Sequence, residues 1–310
     1  MVSLSSFGTT TRVKILLLGR DGQVGRELSR SLLPLGQLTA LGRIELNLAN
    51  SDAILNILNA LKPDLIVNAA AYTSVDKAET DKTAAFQINA DSVKLMADFA
   101  KHNNAIFIHY STDYVFDGCK KEAYLETDST NPLNIYGASK LAGEQAILKS
   151  GCRGYIFRTS WVFSPHGNNF IKTILNLAKA RETLSIVTDQ QGSPTSAELI
   201  SDVTLLAISA ALQDKLTPGI YHLSAGGVTT WFYLAQYIID KSIEKEVDLK
   251  LVSSKIQPIL SKAYPLPAKR PKNSQLDSSC LSSMLNITMP EWTIYVDRMI
   301  SQLILMRFFE

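Results

Sequence analysis

The chain has little of what staples or metallates a fold. Its 310 residues include three cysteines, Cys119, Cys152 and Cys280, an odd number, far apart and without a Cys-x-x-Cys pair. That argues against a disulfide framework and a structural zinc, and it fits a reducing compartment. The four histidines are equally scattered, so no metal cluster can be read. A dominant charge is missing as well: 31 basic residues against 29 acidic leave a net charge of +2. Neither nucleic acid nor an anionic membrane is therefore expected as the main partner. No apolar run is long enough to cross a bilayer. The N-terminal stretch 1–12, rich in Ser and Thr, lacks the apolar centre of a signal peptide and reads as a flexible tail. Internal repeats and low-complexity tracts are absent. A cytoplasmic location is therefore expected.

An apolar fraction of 46% supplies a core, and the length fits one large α/β unit or two domains sharing a cleft. Short apolar runs alternate with longer periodic segments. Strands are expected at Val13 to Leu18, Gln37 to Leu41, Asp64 to Ala70, Ala105 to Ser111, Tyr155 to Ser160 and Gly219 to Leu223. Helices are expected from about Val24 to Leu33, from an N-capping Ser51 to Leu61 with Pro63 as a stop, and at Ala84 to Lys101. Further helices follow at Asn134 to Lys149, Phe170 to Ala180 and Ala197 to Ala211. Strands separated by helices of this length are βαβ units, so the fold class is α/β, a doubly wound parallel sheet of the Rossmann kind. The dinucleotide-binding domain is assigned to 13–164, with 197–224 returning to it. The stretches 165–196 and 225–310, the latter proline-rich and irregular, read mainly as a smaller substrate-binding domain capping the carboxyl edge of the sheet.

Gly19-Arg20-Asp21-Gly22-Gln23-Val24-Gly25 follows the first strand and opens the first helix. Gly19, Gly22 and Gly25 permit a tight turn and close approach of the backbone to a pyrophosphate, which faces the free N–H groups of the helix N-terminus. At the end of the second strand, where an acidic residue would bind a ribose 2′-hydroxyl, the chain carries Gly42-Arg43. A guanidinium there pairs with a 2′-phosphate, so NADPH is favoured and NADH is the alternative.

Tyr136 and Lys140 stand four residues apart on one helix face. A free phenol, with a pKa of about 10, exchanges protons too reluctantly near neutrality; a neighbouring ammonium is expected to lower that value. Tyr136 can then deliver a proton to an alkoxide as hydride reaches a carbonyl carbon, while Lys140 also holds the nicotinamide ribose. The preceding strand ends in Tyr110-Ser111-Thr112-Asp113-Tyr114, which puts the Thr112 hydroxyl at its carboxyl end beside the substrate oxygen.

With these residues the chain resembles the extended short-chain dehydrogenases, and within them the dTDP-4-dehydrorhamnose reductases, from about Lys14 to near the C-terminus. The general signature is the glycine loop, Asn68-Ala-Ala-Ala-Tyr72, Asn89, and Tyr136 with Lys140. More specific are Thr73-Ser-Val-Asp-Lys-Ala-Glu79, Ser111-Thr-Asp-Tyr-Val-Phe-Asp-Gly118 and Phe157-Arg-Thr-Ser-Trp-Val162. So are Gly167-Asn-Asn-Phe170, Asp189-Gln-Gln-Gly-Ser-Pro-Thr195 and Arg270-Pro-Lys-Asn-Ser274. The resemblance implies reduction of the 4-keto group of dTDP-4-dehydro-L-rhamnose to dTDP-L-rhamnose, for polysaccharide biosynthesis.

By position it also implies that Gly22, Gln23 and Val24 lie against the pyrophosphate, Asn47 and Leu48 on the adenine side, and Ala69, Ala70 and Tyr72 along the cofactor. Thr73, Thr112, Asp113 and Trp161 would touch the substrate, and Arg270 would suit its diphosphate. Asn47 stands where many relatives carry Asp. Some bacterial relatives form a magnesium-bridged dimer through glutamates; here Glu27 and Glu198 match, but Gln302 brings no charge to the third position, so no metal is assigned and a homodimer is left open. Two alternative functions stand beside this reading, the first within the same resemblance and the second ranked lower. One is a non-catalytic regulatory subunit like the β subunit of methionine adenosyltransferase; the other is a nucleotide-sugar epimerase or 4,6-dehydratase.

Overall fold

The computed structural model describes residues 12–309; nearly all of the expected tail lies outside the described residues. Six strands make the main sheet: β1 (Val13–Leu18), β2 (Gly36–Leu41), β3 (Leu65–Asn68), β4 (Ile106–Thr112), β5 (Arg153–Thr159) and β6 (Gly219–His222). Their order is β6-β5-β4-β3-β1-β2, and every neighbouring pair is parallel. The chain runs from β1 outward to β2, then returns to β3 on the other side of β1. That reversal opens a crevice beyond the carboxyl ends of β1 and β3, where open α/β sheets take their ligands.

Strand residues alternate between two apolar layers, as a period of two requires. Ile15, Leu17, Val67, Ile108 and Phe157 face one layer; Leu16, Leu18, Ile66, Phe107 and Ile156 face the other. Both faces are buried, which is why these strands read as continuous apolar runs. The first layer is closed by α1 (Gln23–Ser31), α5 (Phe170–Ala180), α6 (Ala197–Leu212), α7 (Trp231–Glu244) and α8 (Trp292–Leu305). The second is closed by α2 (Ser51–Leu61), α3 (Ser92–His102) and α4 (Ile135–Ser150). One apolar cluster thus runs unbroken from the sheet to the C-terminal helix.

Three elements differ from expectation. The N-cap of α2 is Asn50, not Ser51: its extended backbone lets the side-chain oxygen accept from Ala53 N–H. The expected long helix over 84–101 is broken. Lys82–Phe86 is followed by a π-helical turn, Gln87–Asp91, before α3 begins, and the turn rotates Asn89 into the interior, 1% exposed. Finally, the stretch after 225 is less irregular than its prolines imply. They cluster between α7 and α8, two helices of 14 residues each.

Candidate active site

The glycine loop lies where it was expected, and its glycines are dictated by contact. A Cβ on Gly19, whose φ is +82°, would stand 2.6 Å from Ala70 N; one on Gly25 would stand 1.9 Å from the Gly19 carbonyl oxygen. Larger residues would push β1, α1 and the Ala69–Ala70 turn apart. No side chain caps the N-terminus of α1, so its first N–H groups are left for an anion. Val24 packs on the core. The Gln23 amide accepts from Asn169 Nδ2 at 2.9 Å and donates to Val162 O, joining the loop to the segment after β5. Arg43 is exposed beyond the end of β2. Asn47 accepts from Ala49 N–H in a local turn, and Leu48 is buried.

Across the crevice, Asn89 fixes the Tyr72 backbone at both ends. It accepts from Tyr72 N–H at 2.9 Å, donates to Tyr72 O at 3.1 Å, and donates to Ser139 Oγ on α4 at 2.9 Å. The Tyr72 hydroxyl donates to Asp81. The strip Asn68–Tyr72 is thereby tied to the helix that carries Tyr136. That helix begins with Asn134, which caps Gly137 N–H and donates to Lys269 O, while Glu79 accepts from Ile135 N–H.

One face of α4 carries Tyr136, Lys140 and Glu144 at successive i+4 positions, turned toward the sheet. Glu144, 1% exposed, receives both arms of Arg158 from β5 at 2.9 and 2.6 Å. Lys140, 2% exposed, donates to Tyr110 O at 2.5 Å and meets His109 Nε2 at 3.2 Å. Burial brings the lysine down to about 8. Thr112, at the end of β4, donates to Asp113 Oδ1 at 2.9 Å and accepts from Tyr114 N–H. Burial raises Asp113 to about 6.

The phenol of Tyr136 differs from expectation in its acidity. Burial, reinforced by the Asp113 carboxylate, pushes it up to about 12, and the Thr112 hydroxyl pulls only partly the other way. The Lys140 side chain expected to depress it is engaged instead with Tyr110 O and His109. A phenol in this state is reliably protonated at neutral pH, which is the form an acid needs.

Trp161 follows β5 with a φ of 49°, a conformation in which few non-glycine residues sit without support. Its support is Trp231, stacked on it at 3.5 Å between centroids and 11° between planes, and the bare Gly192, where a Cβ would stand 2.8 Å from the indole. Thr73 is exposed at the crevice mouth. Arg270 makes a bidentate pair with Asp76 at 3.1 and 2.8 Å. Any diphosphate there shares the guanidinium with a carboxylate.

Among known proteins, a family described as the RmlD substrate binding domain matches residues 13–305. The dTDP-4-dehydrorhamnose reductase of Burkholderia thailandensis is 45% identical over 90% of this chain and 95% of its own length. The Escherichia coli enzyme of that name is 44% identical over 94% and 98%.

The chain belongs to the dTDP-4-dehydrorhamnose reductase family.

Solved structures of the reductase family agree. One from Bacillus anthracis, in complex with NADP, superposes with a TM-score of 0.85 at 32% identity, covering 94% of this chain and 99% of that one. One from Clostridium acetobutylicum gives 0.86 at 34%, with the same coverage. Against the reductase pattern, Glu27, Glu198 and Gln302 do line one small cleft, but Glu198 is held by Arg298 and Glu27 lies 3.6 Å from Arg30. Among the described residues no group of three His, Cys, Asp or Glu is placed to hold a metal, and no helix is long and apolar enough to cross a membrane.

Sequence reasoning missed His109, Trp231 and the Glu144–Arg158 pair. Only Glu144 left a signal, as the next i+4 step after Tyr136 and Lys140. A further cavity of about 230 Å³, lined by Ser193, Ser224, Gly226, Gly227, Gln275 and Ser278, was also missed; these six residues come from three separate stretches of chain.

Proposed function

We propose that this protein reduces the 4-keto group of dTDP-4-dehydro-L-rhamnose to give dTDP-L-rhamnose, in the cytoplasm, with NADPH as the hydride donor. The observation that carries the reading is the protonated, half-buried Tyr136 phenol beside Thr112, at the carboxyl end of β4 and next to a glycine-lined crevice. The residues present fit a dinucleotide. Gly19, Gly22 and Gly25 leave room for a pyrophosphate at the uncapped N-terminus of α1, Ala69, Ala70 and Tyr72 form the opposite wall, and Arg43 is free to meet a 2′-phosphate.

When bound, NADPH supplies hydride to the carbonyl carbon. Tyr136 gives its proton to the oxygen as the C=O becomes CH–OH, so the alkoxide never stands free. Thr112 and Asp113 position that oxygen. Lys140 holds the ribose and, in its charged form, returns a proton to the phenolate to restore the phenol. Trp161 offers the edge of a stacked indole to the sugar ring. In this reading 165–196 and 225–310 form the substrate side and 13–164 with 197–224 the cofactor side, with Arg270 close to the diphosphate.

The test is direct. The purified protein is mixed with NADPH and the keto-sugar, and absorbance of the reduced cofactor is followed. Stoichiometric oxidation is expected, one NADPH per sugar. No net consumption would move the reading to an epimerase, a dehydratase or a binding subunit.

A further inference from the structure

Behind Lys140, away from the crevice, runs a chain of polar groups that the reduction does not use. Lys140 Nζ stands 3.2 Å from His109 Nε2, His109 Nδ1 stands 3.3 Å from Asn68 Nδ2, and Asn68 Oδ1 accepts from Ala70 N–H at 3.1 Å. The exposures are 2% for Lys140, 0% for His109 and 1% for Asn68, so water does not compete for these groups. Asn68 and His109 are register partners on β3 and β4 and point to the same face.

The last link sets the direction of the others. Ala70 N–H can only donate, so the Asn68 atom it meets is oxygen, and the atom facing His109 is the NH₂, a donor. His109 Nδ1 is therefore the bare nitrogen, and the ring proton is on Nε2, aimed at Lys140. An ammonium has no lone pair with which to accept it. A neutral amine has one, and still donates to Tyr110 O. The arrangement is fully bonded only when Lys140 is uncharged.

We infer that His109 is a positioning residue for Lys140, its tautomer locked to the charge on the lysine through the orientation of the Asn68 amide. Charging the lysine adds one proton to the pair, which ends with His109 protonated on Nδ1 and its former Nε2 proton on Nζ. The Asn68 NH₂ then faces a second donor and turns, and Ala70 N–H loses its acceptor. Ala70 N is the atom that a Cβ on Gly19 would meet first, at 2.6 Å, so the lysine charge is felt at the phosphate loop.

Burial acts on the same pair, lowering Lys140 and holding His109 well below the usual imidazole range. Glu144, on the same helix, is the carboxylate that favours the charged lysine, and it is engaged by Arg158. Lys140 is the charge that bears on His109.

The role of Lys140 rests on the proposed function; the tautomer does not, and it is read without cofactor or substrate. Protein labelled with ¹⁵N-histidine is followed by NMR, with His109 assigned from His109→Gln. In the wild type the ring proton is on Nδ1 at pH 6 and on Nε2 at pH 9.5, with a midpoint near the lysine value of about 8. The isosteric Asn68→Asp supplies an acceptor to both neighbours. There the proton stays on Nδ1 throughout, from pH 6 to pH 9.5. A wild-type tautomer that is the same at both pH values, or an Asn68→Asp protein that switches as the wild type does, overturns the inference. If the tautomer behaves as stated while NADPH is not oxidised, the proposed function fails and the coupling stands.

Discussion

Gly137 presses its α-carbon against the Tyr114 carbonyl: a Cβ there would stand 2.1 Å from that oxygen. The contact seats the first turn of α4 on the turn after β4, bringing Tyr136 edge-on to Tyr114 at 5.8 Å and within reach of Thr112. Gly137→Ala is expected to force the two elements apart, at about 1–3 kcal/mol of stability, and to lower kcat more than it raises KM. Denaturant titration with steady-state kinetics checks both; a fully stable, fully active variant refutes the contact.

Tyr136→Phe keeps the ring and removes the proton. Turnover is expected to fall by about 10²- to 10⁴-fold, with NADPH affinity, measured by fluorescence titration, unchanged. Near-normal turnover would mean that another group protonates the oxygen.

Arg43 is exposed, and among the described residues no hydrogen bond or ion pair engages it, so its charge is available. Arg43→Asp is expected to move the ratio of kcat/KM for NADPH over NADH toward NADH by roughly tenfold to a hundredfold, the worth of a charge-assisted hydrogen bond. An unchanged ratio makes Arg43 a bystander.

Asp113 carries a stability consequence whose sign is unusual for a carboxylate. Its folded value of about 6 lies above the free value of 3.8. Between the two the folded protein holds a proton that the unfolded chain has released, so stability falls as pH rises through this window. At one pKa unit per 1.36 kcal/mol, the loss is about 3 kcal/mol. Asp113→Asn, which cannot ionise, is expected to gain on the wild type by that order at pH 7.5 but not at pH 3.5, while losing activity. Urea titrations at the two pH values measure the difference, and equal differences would refute the assignment.

Trp231 is stacked on Trp161, so its effect on the substrate is expected to be transmitted through that ring. Trp231→Leu is expected to abolish the exciton couplet of the stacked indoles in circular dichroism. It should raise KM for the sugar nucleotide roughly two- to tenfold, the worth of an aromatic pair, with kcat kept. A lost couplet with an unchanged KM would detach Trp161 from substrate binding.

The parts of the protein that depend on near neighbours in the chain were legible in the sequence. A strand buried on both faces must be apolar throughout, so β1, β3, β4 and β5 were visible as runs. A phosphate turn needs glycine at fixed spacing, so Gly19 to Gly25 stood out, and a helix puts i and i+4 on one side, which exposed Tyr136 with Lys140. Local rules also misled. Asn50 and Ser51 are both good caps, and only the backbone angle chose between them; the π turn at Gln87–Asp91 has no periodic signal because it exists to bury Asn89.

What the fold alone decided is how distant side chains share protons and charge. Asn68, His109 and Lys140 come from three elements, and Arg270 reaches Asp76 across 194 positions. The Tyr136 phenol is raised rather than lowered because the fold buries it and sets the Asp113 carboxylate nearby. Composition and spacing say which groups are available. Burial and hydrogen-bond direction, which arise only when strands and helices close on one another, say which of them are charged.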